Sequence, residues 1–281
     1  MANAKTLHFY KMHSLGNDFL VLDGVTRTVD LRPEQIQLWG DRHVGVGFDQ
    51  LLVINPPTDP DADFWFTIYN ADGSQAEQCG NGTRCVAYLA NHLNLTKKNC
   101  IRWQSLAGNF TTERNRDAFK STMTVPVLTA ANIPFNPAAA TPTEGPAYAL
   151  NDTDFEVTPV SMGNPHGVMF LDDIFNVDVD AIGSQLTNHP AFPNAANIGF
   201  CQVIDRQFVR LRVFERGVGE TQACGSGACA AVVAAQLNDL VDHKVKVSLP
   251  GGKLRIAWTG GDAFVEMTGP ATLVYEGDLS L

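Results

Sequence analysis

The chain has 281 residues, of which 44% are hydrophobic and 18% are charged, so it can bury a sizeable core and global disorder is not expected. Its formal net charge is −10, which argues against binding to nucleic acid or to an anionic membrane. The longest apolar run, Ala228 to Ala235, is far shorter than the ~20 residues that span a bilayer, and the N-terminal residues lack the apolar centre of a secretion signal. We therefore expect a soluble, cytoplasmic protein without nucleic-acid or membrane partners.

The six cysteines indicate neither a disulfide scaffold nor a metal site. A reducing cytosol keeps most thiols reduced, and the sequence contains no Cys-x-x-Cys pair. The spacings of Cys79 to Cys85 and of Cys224 to Cys229 are not usual zinc spacings. No Walker loop and no dinucleotide-binding glycine motif is present. We expect no metal and no cofactor, and we interpret the cysteines other than Cys79 and Cys224 as structural.

Taken in chain order, the motifs of the first half of the chain recur in the second half. Six recurrences in one order are hard to assign to chance, and together they predict a duplicated fold. The pairs are Gly16-Asn17 with Gly163-Asn164, Gly47-Phe48-Asp49-Gln50 with Gly199-Phe200-Cys201-Gln202, the strand Phe66–Asn70 with Val209–Glu215, Cys79-Gly80-Asn81-Gly82 with Cys224-Gly225-Ser226-Gly227, Asp117-Ala118-Phe119 with Asp262-Ala263-Phe264, and Met123-Thr124-Val125-Pro126 with Met267-Thr268-Gly269-Pro270.

Each half is predicted to form the same elements in the same order. A strand pair leads to a Gly-rich loop with a cysteine, and a helix follows. Two strands around a turn come next, at Ser105 to Phe110 and around Pro250-Gly251-Gly252. The second helix, Ala228 to Leu237, is apolar nearly all round, so we expect it to be buried on every side. The apolar positions with helical spacing are Val86, Leu89, Ala90 and Leu93 in the first helix and Ala230, Val233, Ala234 and Leu237 in the second.

These elements predict an α/β (α+β) fold with two pseudo-symmetric domains, each a curved sheet or barrel wrapped around a central helix. The first domain is predicted over residues 1–126 and the second over residues 127–270. Residues 129–148 are rich in Ala, Pro and Thr and have no periodicity, so we interpret them as a connector or a surface excursion. Residues 271–281 include a predicted strand that could return to the first domain.

Cys79 and Cys224 are the candidate reactive groups. Each precedes a Gly-x-Gly sequence at the predicted start of a helix, where exposed N–H groups and the helix dipole stabilise an anion. A thiol in that setting is expected to have a lowered pKa and to react as a thiolate. A single such cysteine is more often a buried core residue, but the recurrence of the same setting favours function. Two similar acid/base groups suit a reaction that inverts a carbon stereocentre, with one group on each face of the carbon.

Several polar residues have both a structural and a functional interpretation. His166 follows Asn164 in a turn-rich stretch, where it could be solvated or could tune a thiol. Glu215 and Arg216 could be a surface ion pair or a clamp for an amine and a carboxylate. The third group consists of asparagines that could be turn residues or a polar lining for a substrate, namely Asn17, Asn70, Asn164 and Asn197.

Along its whole length the chain resembles the diaminopimelate epimerase family. The motifs that carry this resemblance are Gly16-Asn17-Asp18-Phe19, Asn70-Ala71-Asp72-Gly73-Ser74, Gln78-Cys79-Gly80-Asn81-Gly82, Ser161-Met162-Gly163-Asn164-Pro165-His166, Ala196-Asn197-Ile198-Gly199-Phe200, Glu215-Arg216-Gly217 and Gly219-Glu220-Thr221-Gln222-Ala223-Cys224-Gly225-Ser226-Gly227. The resemblance implies cofactor-independent interconversion of LL- and meso-diaminopimelate in lysine and peptidoglycan precursor synthesis, and a homodimer.

The resemblance also implies roles for individual residues. Cys79 and Cys224 match the acid/base cysteines, and His166 and Glu215 match residues that modulate the thiols. Tyr275 falls where the family carries a dimer-contact tyrosine. The substrate-binding positions that it implies are Gly80-Asn81 and Gly225-Ser226 around the reacting carboxylate, together with Asn17, Gln50, Asn70, Asn164, Asn197, Glu215 and Arg216.

Two alternatives remain open on the residues alone. A proline-type racemase would use the same pair of thiols, but its substrate would give Arg216 and the additional asparagines no purpose. A binding protein would use the duplicated cleft as a clamp that closes on a ligand without chemistry.

Overall fold

A computed structural model of the protein describes residues 6–77 and 79–281. The chain forms two compact units. Unit 1 combines the chain up to Ser121 with Gly269–Leu281, and unit 2 is Thr122–Thr268. The divisions therefore fall at 121/122 and 268/269, where the sequence placed them at 126/127 and 270/271.

Within the described residues, unit 1 contains two helices and nine strands, counting the strand that ends the chain. Its elements are β1 (Thr6–Ser14), β2 (Asn17–Asp23), α1 (Pro33–Gly40), β3 (Gln50–Asn55), β4 (Phe64–Asn70), β5 (Gln75–Ala76), α2 (Gly80–His92), β6 (Cys100–Ser105), β7 (Gly108–Asn115), β8 (Ala118–Thr122) and β19 (Thr272–Ser280), with β9 to β18 belonging to the other unit.

Unit 2 has a closely similar order of elements. They are β9 (Ala140–Pro142), β10 (Tyr148–Leu150), β11 (Glu156–Ser161), β12 (Pro165–Phe170), α3 (Val179–Thr187), β13 (Asn197–Asp205), β14 (Phe208–Glu215), β15 (Gly219–Thr221), α4 (Gly225–Leu237), β16 (Lys244–Leu249), β17 (Gly252–Ala257) and β18 (Glu266–Pro270). Two short 3-10 turns, Ala130–Asn132 and Pro137–Ala139, precede β9.

The strand pairings show that the two units share one topology. In unit 1, β1–β2 is antiparallel, β2–β3 parallel, β3–β4 antiparallel, β4–β6 parallel and β6–β7 antiparallel. In unit 2, β11–β12, β12–β13, β13–β14, β14–β16 and β16–β17 repeat this series of orientations. The parallel pairs are joined by crossovers that contain the helices, as the parallel geometry requires. The predicted duplicated α+β fold is confirmed.

A central helix lies against several strands in each unit. Helix α2 contacts β1, β2, β3 and β7, and α4 contacts β11 to β14 and β17. In α2 the predicted apolar positions Val86, Leu89 and Ala90 are fully buried. In α4 every side chain from Ala228 to Ala235 is inaccessible to solvent, which confirms the predicted burial for these residues. Gln236 and Leu237, the last two residues of the predicted helix, are partly exposed.

Three of the six sequence recurrences do not mark equivalent positions in the fold. Met123 follows the end of β8, whereas Met267 lies inside the equivalent strand β18. Gln50 opens β3, and the residue that opens the equivalent strand β13 is Asn197 rather than Gln202. Phe119 is buried whereas Phe264 is exposed, and the residue buried near the start of β18 is Val265. A shift of one residue along a strand turns a side chain to the opposite face, so letter matching alone misplaces such a pair.

Residues 129–148 are more than a connector. Ile133, Phe135 and Ala140 are buried in an apolar cluster that also includes Val179 and Leu186 of α3. The interpretation of this segment as a surface excursion is wrong, because 3-10 turns and three-residue strands are too short to show a periodicity. Helices α1 and α3 were likewise not predicted.

At the end of the chain, β19 pairs antiparallel with β1, from Thr6 opposite Ser280 to His13 opposite Thr272. Tyr275 lies on this strand, partly exposed, with its ring edge-on to Phe9. Within residues 6–77 and 79–281, no helix is long and apolar enough to cross a membrane.

Candidate active site

Cys79 is the N-cap residue of α2. Its backbone is extended (φ −149°, ψ 99°), and its sulfur accepts a hydrogen bond from the N–H of Gly82 at 3.3 Å. A side chain at Gly82 would crowd the thiol, since an added Cβ would lie 3.2 Å from Sγ. The Cys-Gly-x-Gly sequence therefore caps the helix with a sulfur, and glycine in the first turn leaves room for that sulfur.

Two asparagine amides lie next to the Cys79 thiol. The Sγ atom is 3.9 Å from Oδ1 of Asn17, and Nδ2 of Asn81 donates to that same oxygen at 3.3 Å. Asn17 opens β2 after the turn at Gly16, whose positive φ of 87° favours glycine. Asn81 stands in the first turn of α2 and is almost fully buried.

A network of charged side chains lies behind Asn17. Its Nδ2 donates to Asp49 at 2.7 Å, and the neighbouring Asp18 accepts two hydrogen bonds from Arg42, at 2.8 and 2.9 Å. Burial by itself would raise the pKa of Asp18, but hydrogen bonds and charges from Arg42 and Lys11 lower it to about 2. The sequence prediction missed this network, although Asp18 and Asp49 stand inside motifs that it used.

Arg84 is a second residue that the sequence prediction missed. It is completely buried in α2, and its guanidinium donates to Asn81 Oδ1 and Ser14 Oγ, both at 2.6 Å, and to the carbonyl oxygen of Gly80 at 3.2 Å. The apolar spacing gave no signal for it, because Arg84 stands two residues before Val86 and so falls on the side of the helix opposite the predicted apolar positions.

Gln50 and Asn70 lie at the ends of paired strands in the same unit. Gln50 opens β3 and Asn70 ends β4, opposite each other in the sheet. The Gln50 amide donates to Asn70 Oδ1 at 3.1 Å, and Asn70 donates to Ser74 Oγ at 3.0 Å. Their amides are thus fixed by these bonds.

Cys224 repeats in α4 the capping geometry of Cys79. Its backbone is extended (φ −106°, ψ 110°), and its sulfur accepts from the N–H of Gly227 at 3.4 Å. The Ser226 hydroxyl lies 3.6 Å from the sulfur. Burial and the carboxylate of Glu215 raise the pKa of this thiol, and the hydrogen bonds from Ser226 and Gly227 do not outweigh them. The prediction of a lowered pKa is therefore wrong for Cys224, which the structure favours as a neutral thiol.

Three side chains form a series that reaches the Cys224 thiol. His166 Nε2 lies 3.1 Å from Asn164 Oδ1, and Asn164 Nδ2 donates to Ser226 Oγ at 3.4 Å. His166 is in β12 and is 1% exposed, so it is not the solvated loop residue that was one interpretation. Burial, with a contribution from the positive charge of Arg216, lowers the pKa of His166 to about 3. Its buried Nδ1 has no hydrogen-bond partner among the described residues.

Glu215 ends β14, Arg216 follows it, and the two residues bond to different groups. Thr221 donates its hydroxyl to Glu215 Oε1. The backbone N–H of Arg216 donates to Asn197 Oδ1, and its Nη1 donates to the carbonyl oxygen of Asn194, both at 2.8 Å. The interpretation of Glu215 and Arg216 as a surface ion pair is therefore wrong, because each side chain bonds to other residues. The exposed guanidinium of Arg216 retains N–H donors for an anionic ligand.

The predicted site residues therefore collect in two clusters, one in each unit. Unit 1 holds Cys79 with Asn17, Gly80 and Asn81, and nearby in the same unit the bonded pair Gln50 and Asn70. Unit 2 holds Cys224 with His166, Asn164, Asn197, Glu215, Arg216, Gly225 and Ser226. The other thiols lie elsewhere: burial raises the pKa of Cys85, and it raises that of Cys201 to about 12. Among the described residues, no group of three or more His, Cys, Asp or Glu side chains is arranged to hold a metal ion.

Comparison with known sequences gives one consistent result. A family model described as "Diaminopimelate epimerase" matches residues 9–129 and 158–274. The chain is 48% identical to a diaminopimelate epimerase of Azotobacter vinelandii over 276 residues, which cover 98% of this chain and 99% of the relative. It is 47% identical to that of Ectopseudomonas mendocina, with the same coverage.

Solved structures with the same fold are more distant in sequence. A phenazine biosynthesis protein of the PhzF family from Bacillus anthracis superposes with a TM-score of 0.69 at 16% identity, covering 99% of this chain and all of the other. A hydroxyproline epimerase from Agrobacterium vitis also gives 0.69, at 13% identity, covering all of this chain and 94% of the other. At these identities the likeness establishes the fold.

Proposed function

The chain belongs to the diaminopimelate epimerase family, and on that premise we propose that it interconverts LL- and meso-diaminopimelate, with the Cys79 and Cys224 thiols as the two acid/base groups. One thiolate removes the α-proton, and the other thiol returns a proton to the opposite face of the same carbon. The reaction class places the enzyme in lysine and peptidoglycan precursor synthesis.

The observation that carries this proposal is the repetition of one reactive geometry. Cys79 and Cys224 are both N-caps with extended backbones, and each sulfur accepts from the N–H three residues later. They occupy equivalent places in two units of the same topology. A reversible inversion needs two such groups of similar chemistry, because the product leaves their protonation states exchanged.

The helix N-termini supply the electrostatic part of the mechanism. Removing an α-proton leaves negative charge on the α-carbon and its carboxylate, and backbone N–H groups at the start of a helix stabilise that charge without reorganisation. Gly80-Asn81 and Gly225-Ser226 stand in the first turns of α2 and α4, so they are the residues that we assign to the reacting carboxylate. Glycine at these positions lets a ligand approach the backbone closely.

Residues in both units are assigned to the rest of the substrate. The guanidinium of Arg216 suits a carboxylate, which it can bind through two N–H donors, and the Glu215 carboxylate suits an ammonium group. Asn17, Gln50, Asn70, Asn164 and Asn197 supply amide donors and acceptors. Diaminopimelate has both a distal carboxylate and a distal amine, whereas proline has neither, and this difference favours the epimerase over a proline-type racemase.

Cys224 is suited to deliver a proton first. Burial and Glu215 raise its pKa, so it is held as a thiol. After it has given its proton to the substrate carbon, it is the base for the reverse reaction. His166 and Glu215 act on this thiol, Glu215 by its charge and His166 through Asn164 and Ser226.

Incubation of the enzyme with LL-diaminopimelate in heavy water tests the proposal. We expect the first meso product to carry one deuterium at the inverted carbon, since the returned proton comes from a thiol in exchange with solvent. Cys79→Ala and Cys224→Ala should each abolish epimerisation, while Cys100→Ala, at an exposed cysteine at the start of β6, should not. Near-normal epimerisation by either single variant would rule out the two-thiol mechanism, and absence of deuterium would favour a binding protein.

A panel of substrates separates the enzyme classes. Activity on diaminopimelate isomers without activity on proline supports the proposal, and the reverse result supports a proline-type racemase. We further propose that no pyridoxal phosphate or metal ion is required, so that dialysis against a chelator and treatment with hydroxylamine leave the rate unchanged. The homodimer with Tyr275 at its interface and the cytoplasmic location remain predictions, which sedimentation of the wild type and of Tyr275→Ala and cell fractionation would test.

A further inference from the structure

Four side chains near Cys79 are joined in series by hydrogen bonds. Arg84 Nη2 donates to Asn81 Oδ1 at 2.6 Å, Asn81 Nδ2 donates to Asn17 Oδ1 at 3.3 Å, and Asn17 Nδ2 donates to Asp49 Oδ2 at 2.7 Å. The series begins at a cation, passes through two amides and ends at an anion. All four residues belong to unit 1.

The charged ends determine how each amide is turned. A guanidinium can only donate hydrogen bonds, so Asn81 must offer Arg84 its oxygen. A carboxylate can only accept, so Asn17 must offer Asp49 its NH2 group. The two remaining ends, an NH2 on Asn81 and an oxygen on Asn17, are then complementary. Reversing either amide would bring two donors or two acceptors together at a charged group.

Both ends of the series are anchored independently. Arg84 also donates to Ser14 Oγ at 2.6 Å and is fully buried. Asp49 Oδ1 accepts from Arg42 at 2.7 Å, and Oδ2 accepts from the N–H of Asp18 at 3.1 Å. Neither Arg84 nor Asp49 can therefore move to keep its hydrogen bond if the amide next to it is reversed.

We infer that Asp49 is a positioning residue for the epimerase reaction: it holds the Asn17 amide so that its carbonyl oxygen, rather than its NH2 group, faces the Cys79 thiol. This inference rests on the proposed function, in which Asn17 and Cys79 act on the substrate. An oxygen beside the sulfur accepts from S–H, so it stabilises Cys79 once the thiolate has taken up the α-proton. An NH2 group in the same place would instead donate to the thiolate and make it a weaker base.

The charged and titratable groups around this series come from several elements. Lys11 is on β1, Asp18 is on β2, Arg42 and Asp49 are in the segment between α1 and β3, and Arg84 and Cys85 are on α2. Because replacing Asp49 also removes a charge, the test is made in about 1 M salt, where the Debye length is about 3 Å and the charge of an exposed carboxylate is screened.

The full-length Asp49→Asn variant tests the inference. An amide at position 49 can donate or accept, so it no longer dictates the orientation of Asn17. Within this series, Asn17 is then oriented by Asn81 alone, through a contact of 3.3 Å that is longer than the 2.7 Å bond to Asp49. We expect kcat/KM for diaminopimelate to fall about 10- to 100-fold, as for the loss of a hydrogen bond to a charged group. We also expect iodoacetamide to label Cys79 faster relative to the exposed Cys100, measured peptide by peptide, because the NH2 group can then stabilise the thiolate.

Two controls separate positioning from a loosened structure. Asp63→Asn removes another ion-paired carboxylate of unit 1, one that accepts from Lys98 at 2.6 Å and from the N–H of Arg102 at 2.9 Å. It should leave both measurements unchanged. Labelling of the buried Cys85 reports any general opening of unit 1, and it should be equal in the wild type and in both variants.

The inference is overturned if Asp49→Asn behaves like Asp63→Asn in both measurements. It is also overturned if kcat/KM falls while the labelling of Cys79 is unchanged, or if Cys85 is labelled faster together with Cys79, because a structural role alone would give these results. Labelling does not involve the substrate. Faster labelling of Cys79 in a protein whose wild type fails to epimerise diaminopimelate would therefore support the positioning by Asp49 while refuting the proposed function.

Discussion

Gly183 lies in helix α3 against the root of the Phe214 side chain, which makes Gly183→Ala a sharp test of the packing in unit 2. A methyl group built on Gly183 would lie 2.4 Å from Cγ of Phe214, 2.5 Å from its Cβ and 2.6 Å from its Cδ2. Normal contacts between carbon atoms are about 3.5–4.0 Å. The ring cannot swing away from a clash at its own root, and β14 is held at Phe214 by pairing with both β13 and β15.

Two effects of opposite sign decide the stability of this variant. Overpacking of a well-packed site lowers the stability of the fold by about 1–3 kcal/mol. Because this site has three short contacts at the root of a side chain, we expect the loss to be about 3 kcal/mol. Alanine is better than glycine in a helix by about 1 kcal/mol. The clash outweighs the helix propensity, so we expect a net loss of about 2 kcal/mol, or a Tm lower by about 4–8 °C.

Matched glycine variants in the same unit make the measurement decisive. A Cβ at Gly199 of β13 meets nothing closer than 3.6 Å, and one at Gly167 of β12 meets the tip of the Phe192 ring at 2.8 Å. Calorimetry should rank Gly199→Ala as at least as stable as the wild type, Gly167→Ala as intermediate and Gly183→Ala as least stable. If Gly183→Ala and Gly199→Ala have the same Tm, the reasoning from close contacts is refuted.

Two further predictions concern protonation in unit 2. The pKa of His166 is about 3 in the folded state, against 6.5 for an ordinary histidine. Between these two pH values the unfolded chain binds a proton that the folded chain does not bind. The free energy of unfolding therefore falls by about 1.4 kcal/mol for each unit by which the pH falls. Urea unfolding of His166→Gln at about pH 6 and about pH 4.5 should lack this part of the slope; an unchanged slope would contradict the burial of a neutral ring. Glu215 raises the pKa of Cys224, so Glu215→Gln should increase the alkylation rate of Cys224 relative to Cys100 at neutral pH, and an equal ratio in variant and wild type would show that the carboxylate does not act on the thiol.

The sequence by itself determined the features that depend on local order. The central helix of each half with the strands around it, their duplication and the two Cys-Gly-x-Gly caps follow from apolar spacing and from residues close together in the chain. The burial of Ala228 to Ala235 in α4 also follows, because a helix that is apolar on every side gains stability by packing every side against other residues. These features made Cys79 and Cys224 the predicted reactive pair.

Prediction from the sequence failed where elements are short, and where two residues of the same type do not occupy equivalent positions in the structure. Residues 129–148 form 3-10 turns and three-residue strands that bury Ile133 and Phe135, and such elements carry no periodicity. Phe264 matched Phe119 in letter, but the strand register gives its buried place to Val265.

Only the tertiary structure decided the environment of the two thiols. Helix position alone predicts a lowered pKa at both sulfurs, yet Cys224 is buried beside the carboxylate of Glu215, and these two effects raise its pKa. Arg84 and Asp49 become parts of one hydrogen-bonded series with Asn17 and Asn81 only when α2, β2 and the segment before β3 pack together. The physical reason is that helix caps and periodicity depend on residues adjacent in the chain, whereas burial and charge at a sulfur depend on residues that folding brings from distant positions.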